Sequence, residues 1–492
     1  MKVLLVYPSF PKTFWSFTYA LKFIGKKAAY PPLGLLTVAA MLPPHWEQRL
    51  VDLNDESLSE NDLLWADIVF IGGMTIQRNS AQQVIDRCKA LGIKVVAGGP
   101  LFSVEPSEFD TVDHLVLDEA EKTLPPFLTD LKAGRPCRIY RSEAYCDVRR
   151  TPVPSWDLIQ LKKYASMSIQ FSRGCPFNCD FCNVTALFGH RPRVKAARQV
   201  IAELDSLYAN GWRGSIFFVD DNFIANKRYL KEELLPAMIR WRRNKKGCVF
   251  FTEATINIAD DSELMAQMTE AGFNAVFIGI ETPDEKALAE CHKHQNEGRD
   301  LLENVKAIQR AGLQVQGGFI VGFDSDPQSI FQRQIDFIQQ SGIVTAMVGL
   351  LQAPPGTQLF ERLKRENRVV GFITGDNVDG TTNIIPKMGL ERLLAGYQSI
   401  MEHIYAPKHY YKRVITFLEE FRTPTVNLPL DFQRIFAFFR SSIRLGVFGK
   451  ERFQYWRLMV WTLFRRPRLL PVAITLAIYG HHFRKISEQY IL

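Results

Sequence analysis

Over most of the chain, short unbroken apolar runs alternate with longer stretches whose apolar positions recur at helical spacing. Residues 2–7, 47–52, 67–73, 94–100 and 114–117 read as five strands, with helical stretches such as 81–91 between them. Successive rather than alternating apolar positions mark strands buried on both faces, as in a parallel sheet covered by helices. The pattern predicts an α/β, doubly wound, Rossmann-like domain over 1–148. Ligands of such sheets sit beyond the carboxyl ends of the strands. Those ends carry Gly72-Gly73, followed by Met74, Thr75 and Gln77, and Gly98-Gly99-Pro100. Glycine there permits close backbone approach to a ligand, and it also serves ordinary turns.

A Pro-containing connector at 149–164 interrupts the pattern. The alternation then resumes over 165–385. Strands are expected at 168–171, 215–219, 249–253, 275–280, 314–321 and 345–349, and helices at 197–210, 227–245, 262–271, 299–311 and 327–341. Six strand–helix units predict a parallel sheet curved into a partial (β/α)6 barrel, with chemistry at the carboxyl ends of its strands. From 386 to 492 the chain reads as a helical extension rich in aromatic and basic residues, as in Phe436-Ala437-Phe438-Phe439-Arg440.

Charge sharpens the picture of that extension. The net charge of +8 is concentrated between 408 and 492, where 15 Lys and Arg face five Asp and Glu. Cationic and apolar residues together suit a membrane surface better than a nucleic acid, and no RNA-binding module is recognisable. The apolar run 469–479 is shorter than the about 20 residues that cross a bilayer. The expectation is a cytoplasmic protein with peripheral membrane contact and no nucleic-acid partner. The competing reading is core-facing helices with arginines on their outer side.

The chemistry centres on Ser172-Arg173-Gly174-Cys175-Pro176-Phe177-Asn178-Cys179-Asp180-Phe181-Cys182. Thiolates spaced C-x3-C-x2-C can hold three irons of a cubane and leave the fourth open to a cosubstrate. A structural zinc site needs four closed ligands, and here His190 stands alone and the next cysteine is Cys248. Eight cysteines in 492 residues are too sparse for a disulfide framework. The triplet follows the first strand of the second block, at the end where barrel enzymes gather catalytic groups.

At this triplet the chain resembles the radical S-adenosylmethionine superfamily. The domain order resembles the class that also binds cobalamin. The stretches 25–35, 218–223, 279–283 and 317–324 resemble the family of the hopanoid C-2 methylase and its close relatives. The resemblance implies a [4Fe-4S] cluster on Cys175, Cys179 and Cys182, with S-adenosylmethionine on the open iron. It also implies contacts from Asp220, Asp221 and Asn222 to the cosubstrate's amino group and from Glu253 to its ribose. Glu281 and Gln316, expected at the ends of later strands, would meet ribose, carboxylate or substrate, and the Phe181 backbone would lie near the adenine. Cobalamin would rest on Gly72, Gly73, Met74, Thr75, Gln77, Gly98 and Gly99. The region 51–57 lacks the Asp-x-His-x-x-Gly of methionine-synthase-type domains, so cobalt would have no imidazole ligand from it.

The reaction so implied is methyl transfer to an unactivated carbon of a small molecule or lipid, such as a terpenoid or hopanoid. A flavodoxin or ferredoxin would supply electrons. Two other readings stay open: radical cyclisation, rearrangement or C–C bond formation without methyl transfer, and a non-catalytic cobalamin- or iron-responsive binding protein. A methylthiolase would need a second cluster, and Cys88, Cys137, Cys146, Cys248 and Cys291 form no compact set.

Overall fold

The computed structural model describes residues 1–376, 379–422 and 432–490. Strands β1 (Lys2–Tyr7), β2 (Glu47–Asp52), β3 (Ile68–Gly72), β4 (Lys94–Gly98), β5 (His114–Val116) and β6 (Ile139–Tyr140) form one parallel sheet in the order β2-β1-β3-β4-β5-β6. Val3, Leu4, Leu5 and Val6 are all fully buried because successive residues of β1 face different layers. Val3 and Leu5 pack with helices Leu33–Met41 and Ala120–Lys132, and Leu4 and Val6 with helices Glu60–Trp65 and Arg78–Ala90. This is the expected doubly wound arrangement, with β6 as a short sixth strand that two residues could not announce.

The connector is a packed segment rather than a free tether. Tyr164 is 1 % exposed and its hydroxyl donates to Asp52 Oδ2 at 2.8 Å. Ala165 N–H donates to the Ala28 carbonyl at 3.0 Å.

The second sheet holds β7 (Ser166–Ile169), β10 (Ser215–Phe218), β11 (Val249–Ala254), β12 (Phe273–Glu281), β13 (Gln314–Val321) and β14 (Ala346–Leu350). All are parallel and lie in chain order, as in an open six-stranded barrel. A small antiparallel hairpin, β8 (Ser172–Arg173) with β9 (Arg193–Val194), encloses the cysteine loop. The Val3/Leu5 face of the first sheet and the barrel share one continuous apolar core.

Helices Leu390–Tyr405, Pro407–Glu420, Phe432–Arg444, Arg452–Arg465 and Leu470–Tyr490 follow. The last returns to the start of the chain. Phe14 stacks on Phe483 at 5.2 Å, and His482 Nε2 lies 2.9 Å from the Phe14 carbonyl oxygen. Among the described residues no helix is long and apolar enough to cross a membrane.

Candidate active site

The cysteine loop is fixed at both ends. Gly174 adopts φ 93°, and a Cβ there would lie 2.9 Å from the Gly189 and Arg191 carbonyl oxygens, so only glycine fits immediately before Cys175. Cys175 N–H donates to the Gly189 carbonyl at 3.2 Å. In the middle of the loop, Asp180 N–H donates to Cys291 and Leu359 N–H to Asp180, at 3.1 and 2.9 Å. Phe181 meets Phe323 edge-on at 6.3 Å.

Asp220, fully buried at the end of β10, accepts from the Phe171 and Ser172 amides and from the Ser172 hydroxyl. Its carboxylate holds the entry to the cysteine loop. Burial, opposed by these bonds, pushes its pKa up to about 7. Asn222 points Nδ2 at the Cys175 sulfur, 3.8 Å away, while its buried Oδ1 has no partner. Gln295 does the same at Cys179, with Nε2 3.6 Å from the sulfur and Oε1 unpartnered.

Lys293 Nζ sits 2.7 Å from Glu281 Oε1 and 6.0 Å from the centre of the Phe181 ring. Burial opposes its charge, yet Glu281 and the nearby Cys179 and Cys182 thiols hold its pKa above the usual lysine range. Glu281 itself takes a left-handed backbone, φ 63°, at the end of β12, which turns its side chain toward Lys293. Burial pushes the Cys182 thiol up to about 12 and raises Cys175. Thiols in this setting ionise when a metal replaces the proton.

Asp221 follows the end of β10, and Glu253 is the penultimate residue of β11. Burial raises Asp221 to about 6. Burial, then the Asp221 and Asp220 charges, raises Glu253 to about 8. Asp221, Asn222, Glu253 and Glu281 therefore share the carboxyl-end rim with the cysteines. Gln316 departs from expectation. It is the third residue of β13, not its end, because Gly317 and Gly318 continue in register with Ala346 and Met347 of β14.

On the first sheet, Gly73, Met74, Thr75 and Gly99 gather at the carboxyl edge, with Met74 half exposed. A Cβ on Gly98 would lie 2.5 Å from the Val116 carbonyl oxygen, so the neighbouring strand alone requires glycine there. Gly72 is likewise crowded, by Leu35. Gln77 is fully buried and caps its own turn, accepting from Met74 N–H at 2.9 Å.

Three groups escaped the sequence reading. Lys293 and Gln295 lie in a polar run, 292–296, that follows the short helix Glu285–Glu290, and that run was their only signal. The third is a buried ionic seam joining the β8–β9 hairpin to the first domain. Arg173 pairs with Glu119 at 2.9 Å and Glu121 at 2.8 Å, and Arg193 with Glu119 at 2.8 Å. Cys146 N–H also donates to Glu119, at 2.7 Å. Beside this seam a cavity of about 250 Å³ is lined from one side by Ser103, Asp118 and Arg141 and from the other by Asn183, Phe188 and Gly356. A second, of about 170 Å³, opens at Cys179, Cys182, Thr185 and His190.

Among the described residues no three His, Cys, Asp or Glu side chains converge on a single ion. A cubane asks for no such convergence, since each cysteine binds a different iron. The thiols on one braced loop, the amide donors from Asn222 and Gln295 and the adjoining cavity suit such a cluster.

Comparison with known proteins agrees. The radical SAM superfamily matches residues 169–338, the B12 binding domain matches 27–128, and a domain of unknown function (DUF4070) matches 357–491. An uncharacterized methyltransferase of Synechocystis sp. is 41% identical over 99% of this chain and 92% of its own. The hopanoid C-2 methylase of Rhodopseudomonas palustris is 34% identical over 94% of this chain and 90% of its own. The cobalamin-dependent S-adenosylmethionine radical enzyme OxsB, with aqua-cobalamin and S-adenosylmethionine bound, superposes with a TM-score of 0.63 at 14% identity, covering 99% of this chain and 79% of its own. The radical S-adenosylmethionine methyltransferase TsrM from Kitasatospora setae, with cobalamin and a [4Fe-4S] cluster, gives 0.56 at 17% identity over 74% of this chain and 78% of its own.

Proposed function

The chain belongs to the cobalamin-dependent radical S-adenosylmethionine methyltransferases, and from that premise we propose that it methylates an unactivated carbon of an apolar, terpenoid-like lipid such as a hopanoid. When bound, the cluster, S-adenosylmethionine and cobalamin supply the electron, the hydrogen abstraction and the methyl group. The chain's own task is to hold and exclude. Cys175, Cys179 and Cys182 would hold the cluster. Asn222 and Gln295 would donate to the Cys175 and Cys179 sulfurs, and Lys293 would offset the cluster's negative charge. Asp221, Glu253 and Glu281 would hold the cosubstrate's ammonium and hydroxyls, while the Gly73–Gln77 turn and Gly99 would hold the corrin.

The observation that carries the lipid reading is the barrel's inner lining. Along β10, β11 and β12 the residues Phe217, Phe251 and Phe277 alternate with positions buried under the outer helices, so they face inward. Phe217 and Phe251 stack at 4.8 Å, and Tyr30 of the first domain leans on both. Trp15 closes on Phe277 at 5.3 Å. An aromatic lining of this kind favours a fused-ring hydrocarbon over a polar substrate. A low-potential flavodoxin or ferredoxin is the electron donor in this reading.

The test is anaerobic incubation of reconstituted enzyme with polycyclic lipids and methyl-labelled S-adenosylmethionine. A labelled lipid heavier by one methylene unit is the expected result. Formation of 5′-deoxyadenosine without label in any lipid overturns the lipid assignment. Product of unchanged mass favours rearrangement over methyl transfer.

A further inference from the structure

Helices Phe432–Arg444 and Arg452–Arg465 follow one another and meet at the turn between them. The Tyr455 hydroxyl bonds the Ser441 hydroxyl at 3.0 Å, and Trp456 Nε1 donates to the Gly446 carbonyl at 3.0 Å. Their inward positions, Ala437, Ser441, Tyr455 and Leu458, are buried. Both helices also turn large apolar side chains to solvent. Phe436 is 56 % exposed and Phe439 and Ile443 are each 55 % exposed on the first helix. Phe453 at 73 % and Phe464 at 81 % follow on the second, and Phe448 at 80 % crowns the turn between them. Surface phenylalanines scattered singly need no explanation, but six large apolar side chains exposed on two successive helices and their turn do.

The charge around this face has one sign. Arg444, Lys450, Arg452, Arg457, Arg465 and Arg468 are exposed on the same two helices and their flanking turns. Among the described residues from 435 to 470 the one acid is Glu451, which is buried and paired with Arg484. Apolar rings surrounded by cations match a bilayer carrying anionic headgroups: the rings enter the acyl boundary and the cations stay at the phosphates. A second copy of the chain would bring the same cations against these. A polyanion such as RNA would leave the rings in water.

We infer that this helix pair is a docking face for an anionic lipid bilayer. The face adjoins the proposed substrate chamber through a single segment. Arg440 Nη1 donates to the Phe23 carbonyl at 3.0 Å, and the same segment carries Trp15 onto Phe277. The inference does not depend on the identity of the substrate, since docking is read without turnover.

The test is co-sedimentation of the holoenzyme with phosphatidylcholine vesicles containing or lacking phosphatidylglycerol. Binding should require the anionic lipid and weaken with salt, because surface attraction decays over a Debye length of about 8 Å at physiological ionic strength. The Phe448→Glu/Phe464→Glu variant should lose roughly 100-fold or more in partition, at roughly 10-fold or more per buried ring. The Arg452→Glu/Arg457→Glu variant should lose roughly 25-fold or more, at roughly five-fold per basic residue. Both sets of side chains are exposed, and unchanged iron content with unchanged S-adenosylmethionine cleavage verifies folding. Equal binding to both vesicle types, or no binding by the parent, overturns the inference. So does a dimer in sedimentation velocity that Phe448→Glu/Phe464→Glu splits, which would make the face a contact between copies.

Discussion

Replacing Arg173 by Met leaves Glu119 and Glu121 in the seam between the β8–β9 hairpin and the first domain, with Glu121 stripped of its cation. The Glu121 side chain is 6% exposed and that of Arg173 13%. Burial alone would raise the Glu121 pKa, but Arg173 and the Thr151 hydroxyl bring it from 4.5 down to about 2. At 1.36 kcal/mol per pKa unit that depression corresponds to about 3 kcal/mol, within the about 3–5 kcal/mol typical of breaking a buried pair from one side. The sign follows from the direction. A carboxyl with a lowered folded-state pKa stabilises fully above its unfolded value of about 4.5, and the contribution drains away as pH falls toward 2. The assay is native-state hydrogen exchange at neutral pH, read at the Cys146 amide and the β8–β9 hairpin. R173M should speed exchange there by roughly 100-fold. The double variant R173M/E121L should recover most of the loss, since apolar replacement of a whole buried pair is close to neutral. Exchange in R173M within a few-fold of the parent, or no recovery in the double variant, would refute the seam as what pins the hairpin to the first domain.

Cys182→Ala should abolish cluster assembly and 5′-deoxyadenosine formation while far-UV circular dichroism stays unchanged, as measured by iron content and product chromatography. Gly98→Ala should destabilise the first domain by about 1–3 kcal/mol, because the added methyl meets the Val116 carbonyl; cobalamin retention on gel filtration should fall with it. Lys293→Met should leave Glu281 buried and unpaired at a cost of about 3–5 kcal/mol, seen as faster loss of cluster absorbance to a chelator. His482, whose pKa burial lowers to about 4, supports folding as the neutral ring. Its contribution is complete above the ordinary value of 6.5 and lost as pH falls toward 4, so limited proteolysis of the Leu470–Tyr490 helix should accelerate across that window.

The parallel strands were legible because a sheet covered on both faces demands apolar residues at successive positions, and β1 and β3 have them. The cluster ligands were legible because they are local: three cysteines on one loop need no knowledge of the fold. What supports that loop was not. Asn222 and Gln295 reach Cys175 and Cys179 from 47 and 116 positions away, and nothing in their local sequence says so. Asp220 reads as a cosubstrate contact on a strand end; that its oxygens serve the Phe171 and Ser172 amides is visible only once β7 and β10 lie side by side. Gln316 reads as a strand-end residue although the strand is expected over 314–321; it is the third residue of that strand, five positions short of its end. The hairpin and β6 are two-residue strands, too short to carry a period.

The clasp between Phe14 and the Leu470–Tyr490 helix joins positions 468 apart in the chain. A ribosome makes Phe14 468 residues before His482. Phe14, Phe17 and Phe23, all buried in the folded protein, therefore wait for Phe483 and His482 while the stretch between them is synthesised. Closing so long a loop adds only about 0.6 kcal/mol per doubling of its length, so delay rather than entropy is the hazard. Until the Leu470–Tyr490 helix arrives, that aromatic segment lacks the partner that covers it.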